Sequence, residues 1–172
     1  SGQPLVNPPL EKIGVVVVDN FPALGRLLAL RFIEWAQDNP EGVIALPTGR
    51  TPEHFIREVL RLRRGWEQPE VRAELESGGV DPGRQCRFAG LRFVQIDEFY
   101  PISSLQHNSF FSYVNRFYIE GFGLDPGRAL LIDCSRLAVP EGRSLEEIWG
   151  EEAVDLTLRY RHPRTRHEAL QK

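Results

Sequence analysis

The stretch VIALPTGRTPEHFIREVLRLR, residues 43–63, decides the fold, because an apolar run passes into a helix through a short polar joint. Residues 43–46 are a short apolar run, which is typical of a buried strand. Residues 52–63 carry apolar side chains at three- and four-residue spacing, which predicts an amphipathic helix. Thr51 is a good N-cap, and Pro52 suits the first helical position, where its missing N–H costs nothing. The stretch therefore predicts a strand, a tight turn and a helix.

The same alternation continues on both sides of this stretch. Further strands are predicted from apolar runs at residues 13–18, 91–96 and 129–132. Further helices are predicted after Asn20, over residues 110–118, and at the capping box of Ser144 and Glu147. The helix after Asn20 is predicted to bury Leu24, Leu27, Leu28, Phe32 and Trp35. This order predicts an α/β fold, Rossmann-like, with a mostly parallel open sheet and helices on both faces.

Residues 64–90 interrupt the alternation. The segment is polar, contains a Gly-Gly pair at residues 78–79 and an Asp-Pro-Gly turn at residues 81–83, and predicts one short helix over residues 69–76. We expect a surface insertion between the second helix and the third strand. With this insertion, residues 1–172 form a single α/β domain, since the length suits one core.

Composition limits the classes of partner. The chain has 41% hydrophobic and 26% charged residues and a net charge of −3, so no basic field attracts nucleic acid or anionic lipid. No apolar run has the length of a membrane span. Cys86 and Cys134 lack the spacing of metal ligands, and so sparse a pair is typical of reduced thiols. We therefore expect a cytoplasmic protein that binds no nucleic acid, membrane or metal.

Two loops combine position with useful chemistry, because ligands of open α/β sheets bind beyond the carboxyl ends of the strands. The first loop consists of Pro47, Thr48, Gly49, Arg50 and Thr51. A glycine with positive φ lets backbone N–H groups converge, and a helix N-terminus adds positive potential. A phosphate monoester is the natural ligand of such a loop. An ordinary strand-to-helix turn is the alternative.

The second loop begins with adjacent carboxylates, Asp97 and Glu98, at the end of an apolar strand. Neighbouring strand residues face opposite ways, so one carboxylate can face the cleft while the other has a structural role. A carboxylate at the rim of an apolar sheet suits a general base. The alternative is that both carboxylates cap helices or pair with arginines.

Taken in order, LPTGRTP, IDEFY and HNSFFSYVNRFY resemble the glucosamine-6-phosphate deaminase/isomerase family, which is related to the 6-phosphogluconolactonases. The resemblance implies a sugar-phosphate substrate held by Pro47, Thr48, Gly49, Arg50 and Thr51. It also implies that Asp97 is the general base that moves a proton between C2 and C1, with no metal or organic cofactor. The lactonases typically have Asp-Glu-Arg in the second motif, whereas this chain has Asp97, Glu98 and Phe99, so the deaminase side is favoured over a lactonase-like hydrolase.

The sequence departs from the family in two ways. No motif like GxGxDGHxAFNEP, which carries the family's ring-opening histidine, is present. We expect an N-terminal fragment that is inactive alone and self-associates through uncovered apolar surface; a non-catalytic sugar-phosphate-binding or regulatory module is the alternative. Arg50 replaces the family's small residue, and its guanidinium has three options: clamping phosphate, filling the pocket, or pairing with Asp97 or Glu98.

Overall fold

A computed structural model describes residues 15–100, 102–134 and 143. Its helices are α1 (Phe21–Asp38), α2 (Glu53–Arg64), α3 (Pro69–Ser77) and α4 (Phe110–Val114), the last of which continues as a π-helical segment, Asn115–Glu120. Its strands are β1 (Val43–Ile44), β2 (Arg92–Val94) and β3 (Ala129–Leu130). No helix in this part of the chain is long and apolar enough to cross a membrane.

The three strands form one parallel sheet in the order β1-β2-β3. Helices α2 and α3 lie between the first two strands in the chain, and α4 lies between the last two. Two adjacent parallel strands need a long crossover connection such as a helix, because a tight turn can join only antiparallel strands. The predicted α/β class with a parallel sheet is confirmed.

Helix α1 begins where the sequence predicts, directly after Asn20. The side chain of Asn20 accepts a hydrogen bond from the Ala23 N–H at 2.9 Å, and the Asn39 N–H donates to the Trp35 carbonyl at 2.9 Å. Its buried face is different from the predicted one. Of the five residues predicted to be buried only Phe32 is, and Leu28 is 46% exposed. The residues of α1 that are buried are Gly25, Ala29, Leu30, Phe32, Ile33, Ala36 and Gln37.

The predicted apolar face of α1 differs from its buried face because part of it lines an open apolar groove of about 550 Å³ between α1 and β1. Leu24 and Leu28 line the groove instead of entering the core, and Trp35 lines it while also packing against the core. The apolar residues of α1 therefore form two faces. One packs in the core, and the other lines the groove, which no described residue covers.

The core lies on one face of the sheet. Four rings from α1, α2, the turn before β2 and the segment after α4 pack with centroids 4.9–5.9 Å apart: Phe32, Phe55, Phe88 and Phe122. Phe93 of β2 joins this cluster and is 1% exposed. Burial of each such side chain stabilises the fold by about 1.5–3 kcal/mol, so these rings fix the helices that carry the site against the sheet.

The opposite face of the sheet is uncovered among the described residues. Side chains on that face include Val43, which is 60% exposed, and Leu130, which is 68% exposed. Of the strand predicted over residues 13–18, residues 15–18 are described; Val16 takes part in a β-bridge, but Val16 and Val17 are 43% and 57% exposed. The prediction that these residues are buried was wrong because an apolar run shows only what a strand could bury, whereas burial needs a partner. The predicted helix at Ser144 lies outside the described residues.

Residues 64–90, which we expect to be a surface insertion, also contribute to the core. Helix α3 forms as predicted, but five side chains of the segment enter the core with at most 6% exposure: Trp66, Val71, Leu75, Val80 and Phe88. The Trp66 indole N–H donates to the Pro82 carbonyl at 3.0 Å. The segment's polar average hid its apolar residues, which are too widely spaced to form a recognisable pattern.

Gly25 brings α1 into contact with the start of α2. A Cβ at this position would lie 2.6 Å from the His54 Cβ and 2.8 Å from the Phe55 nitrogen. No side chain fits such an approach without displacing the backbone of α2. Gly25 thus positions the helix that follows the first loop.

Candidate functional site

Both predicted loops leave the same edge of the sheet. Strands β1 and β2 are adjacent and parallel, with Ile44 paired to Phe93. Thr48 and Asp97 each lie four residues beyond these paired positions. Adjacent strands are about 4.8 Å apart, so the two loops begin as neighbours at the carboxyl ends of their strands, where α/β proteins bind ligands.

The first loop has the backbone conformation that the sequence predicts. Gly49 has a φ of 94°, in the region that favours glycine. A Cβ at Gly49 would meet no atom within 4 Å, so the space beside the loop is open. Thr48 and Gly49 are half-buried, whereas Pro47, Arg50 and Thr51 are exposed.

The start of α2 differs by one residue from the prediction. Pro52, not Thr51, is the N-cap, and no side chain hydrogen-bonds the first N–H groups of the helix. The cause is a turn in which the Glu53 N–H donates to the Arg50 carbonyl at 3.2 Å, so that the chain enters the helix later. The prediction of Thr51 as N-cap was wrong. The Thr51 hydroxyl does not cap the helix, and no side chain in the described part of the chain accepts a hydrogen bond from the first N–H groups of α2.

The two adjacent carboxylates have different roles. Glu98 accepts four hydrogen bonds of 2.7–3.0 Å, donated by the Ser109 hydroxyl and by the N–H groups of Phe99, Phe110 and Phe111. Two of these N–H groups begin α4, so Glu98 caps that helix. Asp97 is exposed, and no hydrogen bond or ion pair of its carboxylate is found among the described residues. The carboxylate that is available to a ligand is Asp97.

The environment of Glu98 favours its charged form. Burial alone would raise the pKa of its carboxyl, but the hydrogen bonds from Phe111, Phe110, Ser109 and Phe99 together outweigh burial and lower the pKa. Glu98 is therefore a fixed negative charge at the N-terminus of α4, where the helix dipole also stabilises it.

Gln95 was not identified from the sequence, although it holds Asp97 in place. Its side chain is 4% exposed; Nε2 donates to the Asp97 carbonyl at 2.8 Å, and Oε1 accepts from the Ile132 N–H at 3.0 Å. The amide thereby joins the end of β2 to the chain after β3. A buried glutamine within an apolar strand was the available signal, because buried polar groups need partners.

Of the three options for Arg50, the ion pair with Asp97 or Glu98 is not found among the described residues. Within the described residues its guanidinium has no carboxylate partner within 4.0 Å, and Glu98 already uses its oxygens at α4. Glu53, the carboxylate nearest along the chain, is paired with Arg57 at 2.8 Å. Arg50 is exposed and available for an anion.

Metal ligation has no candidate among residues 15–100, 102–134 and 143, where no three His, Cys, Asp or Glu side chains are grouped to hold an ion. His107, in the loop before α4, is exposed. Cys86 and Cys134 are free thiols, and burial raises the pKa of Cys86 to about 11. Neither cysteine is activated as a nucleophile.

No protein-family model and no curated protein matches this sequence. Among fourteen chains of solved structures that match, one is a monomeric glucosamine-6-phosphate deaminase, described as a missing link of the NagB superfamily. The two share 21% sequence identity with a TM-score of 0.54, over 68% of this chain and 41% of the deaminase. The likeness establishes a shared α/β fold. This chain spans less than half the length of that deaminase.

Proposed function

We propose that this chain binds the phosphate group of a sugar phosphate, as part of a glucosamine-6-phosphate deaminase/isomerase-like protein. Residues 47–51 bind the phosphate, and Asp97 is the general base. One observation carries the proposal: an open loop with a positive-φ glycine and an exposed carboxylate leave adjacent parallel strands at one edge of the sheet. The fold shared with a deaminase supports this assignment.

The phosphate ligand has four sources of binding energy in the first loop and the start of α2. The backbone N–H groups beside Gly49 donate hydrogen bonds, and the twelve-residue helix α2 adds the positive end of its dipole. Thr48 and Thr51 contribute hydroxyl donors. The Arg50 guanidinium can bind two phosphate oxygens at once, a geometry that lysine does not offer.

Asp97 performs the proton transfer of an aldose–ketose isomerisation. One carboxylate removes the proton from C2 of the open-chain sugar and returns a proton to C1, which requires it to reach both carbons. Its exposure gives access to the substrate, and Gln95 fixes its backbone. General base catalysis of this kind contributes about 10²- to 10⁴-fold to a rate.

A non-catalytic sugar-phosphate-binding module is the second candidate. The observation that favours it is the absence from this sequence of the family's histidine motif for ring opening. Both candidates predict that the chain alone does not convert glucosamine 6-phosphate into fructose 6-phosphate and ammonia. They differ on whether Asp97 exchanges protons with a bound open-chain sugar.

The binding proposal is tested by calorimetric titration of the chain with glucosamine 6-phosphate, fructose 6-phosphate, inorganic phosphate and unphosphorylated glucosamine. We expect the phosphate compounds to bind and glucosamine not to bind. Gly49→Ala should weaken binding about tenfold, since φ > 0 costs a non-glycine residue about 1–2 kcal/mol. Arg72→Ala on α3, far along the chain from the loop, is the matched control and should bind normally. A folded chain that binds none of the phosphates contradicts the proposal.

Proton exchange separates the two candidates. Fructose 6-phosphate in deuterated water is incubated with the chain, and loss of the C1 proton signal is followed by NMR. The isomerase proposal predicts exchange that the wild type accelerates and that Asp97→Asn abolishes while binding is retained. Binding without any exchange in the wild type favours the non-catalytic module.

A further inference from the structure

Two tyrosine hydroxyls connect the first loop to the segment that begins with α4. Tyr118 donates to the Pro47 carbonyl at 2.5 Å, and Tyr113 donates to the Gly49 carbonyl at 2.9 Å. The acceptors are alternate carbonyls of the loop assigned above to phosphate, and the donors lie more than sixty residues later in the chain. The contacts therefore fix the loop from outside.

These bonds determine where the loop's donors point. A trans peptide is planar, with its C=O and the following N–H on opposite sides. When the carbonyls of Pro47 and Gly49 point toward the tyrosines, the N–H groups of Thr48 and Arg50 point away from them. Both donors then face one side of the loop, beside the open space at Gly49.

The π-helical segment explains how both tyrosines reach the loop. Tyr113 and Tyr118 are five positions apart, which in an α-helix places them about 140° apart around the axis. The segment Asn115–Glu120 begins between them, and i→i+5 bonding brings positions five apart close to one face. Their rings lie 6.0 Å apart in an edge-to-face arrangement.

Packing holds both rings in place. Tyr118 is fully buried, with its ring 5.6 Å from Phe93 and 5.3 Å from Phe122. Tyr113 packs 4.5 Å from Phe117. The hydroxyls therefore cannot move away without disturbing the core, so their hydrogen bonds restrain the loop at the Pro47 and Gly49 carbonyls.

Both hydroxyls remain protonated donors at neutral pH. Burial, aided by the charge of Glu53, raises the pKa of Tyr113 to about 12. Burial and the neighbouring Tyr113 also raise the pKa of Tyr118. Neither group becomes a phenolate that would repel an anion from the loop.

We propose that Tyr113 and Tyr118 are positioning residues for phosphate binding: they hold the Pro47 and Gly49 carbonyls so that the Thr48 and Arg50 N–H groups are aimed at the ligand. The inference rests on the proposed phosphate site. Neither tyrosine touches the ligand. Their contribution is preorganisation, which improves affinity by removing the cost of ordering the loop on binding.

The test uses Tyr113→Phe and Tyr118→Phe, which remove only the hydroxyls, with Ser77→Ala as control. Ser77 also donates its hydroxyl to a backbone carbonyl, that of Glu74 at 2.9 Å on α3, so the control removes the same kind of bond elsewhere. Two quantities are measured: the Kd for inorganic phosphate, and amide hydrogen exchange of residues 48–51 in the free protein. We expect each tyrosine variant to raise Kd about fivefold and to speed loop exchange, and Ser77→Ala to change neither.

The outcomes separate this inference from the function on which it depends. Wild-type binding together with unchanged Kd in both tyrosine variants overturns the positioning role and leaves the phosphate site standing. Faster loop exchange with unchanged Kd also overturns it, because the bonds would then be merely structural. If the wild type itself does not bind phosphate, the proposed site fails, and the positioning role fails with it.

Discussion

The N-termini of α2 and α4 lie in similar places and are completed in opposite ways. Both helices follow a strand of the parallel sheet. At α4 the protein supplies its own anion, because Glu98 and Ser109 bind the first amides. At α2 no side chain of the described residues binds the first amides, and the tyrosine bonds to the preceding loop are made to its carbonyls. The comparison teaches that the N-terminus of α4 is completed by the protein's own carboxylate, whereas the N-terminus of α2 has the open amides that the proposed phosphate site requires.

The largest expected effect is a loss of stability when the N-terminus of α4 loses Glu98. Glu98→Ala removes an acceptor shared by four donors. A hydrogen bond to a charged group contributes about 1.5–3 kcal/mol, and water can replace part of the four bonds because the side chain is only half-buried, so we expect the free energy of unfolding to fall by about 3 kcal/mol. Urea denaturation measures the loss. The neighbouring variant Asp97→Asn is the control and should change stability by less than about 0.5 kcal/mol. Equal losses in the two variants would remove the distinction between these carboxylates.

Acid should affect the same terminus. The pKa of Glu98 is lower in the folded protein than its ordinary value of 4.5, so its contribution to stability is complete above about pH 4.5. It is lost as the pH falls through the lowered folded pKa. Between pH 7 and pH 3, wild-type stability should therefore decline more than that of Glu98→Gln. Parallel pH profiles for the two proteins would show that Glu98 carries no structural charge.

A substitution of Arg50 tests the N-terminus of α2, and we expect a smaller effect, on phosphate affinity. Because its guanidinium has no carboxylate partner among the described residues, Arg50→Ala should leave stability unchanged and raise the Kd for phosphate about fivefold. Calorimetry measures the affinity, and Arg72→Ala on α3 serves as the charge-matched control. Tighter binding in Arg50→Ala would mean that the arginine obstructs the loop.

Much of this comparison was accessible from the sequence, because strand, turn and helix over residues 43–63 are specified by local propensity. The one-residue error at Thr51 arose from a turn that local propensity does not resolve. The division of roles between Asp97 and Glu98 depends on contacts eleven to thirteen residues away, and only the resemblance to a family singled out Asp97. Gln95 was missed for the same reason, since its partners are defined only when β3 lies beside β2.

The smallest expected effect concerns the uncovered face of the sheet. Val43, Ile96 and Leu130 are 58–68% exposed on that face, so we expect weak self-association of the chain. Sedimentation velocity at increasing concentration measures it, and Leu130→Lys should shift the chain toward monomer. A strictly monomeric wild type at all concentrations would contradict this expectation.

The most direct test of the central claim maps phosphate onto the two helix N-termini by NMR. Titration of ¹⁵N-labelled protein with inorganic phosphate should produce saturable shifts of the Thr48, Gly49 and Arg50 amides. The amides of Phe110 and Phe111, which already bind Glu98, should not shift. Shifts at both termini, or saturable shifts at neither, would contradict the account.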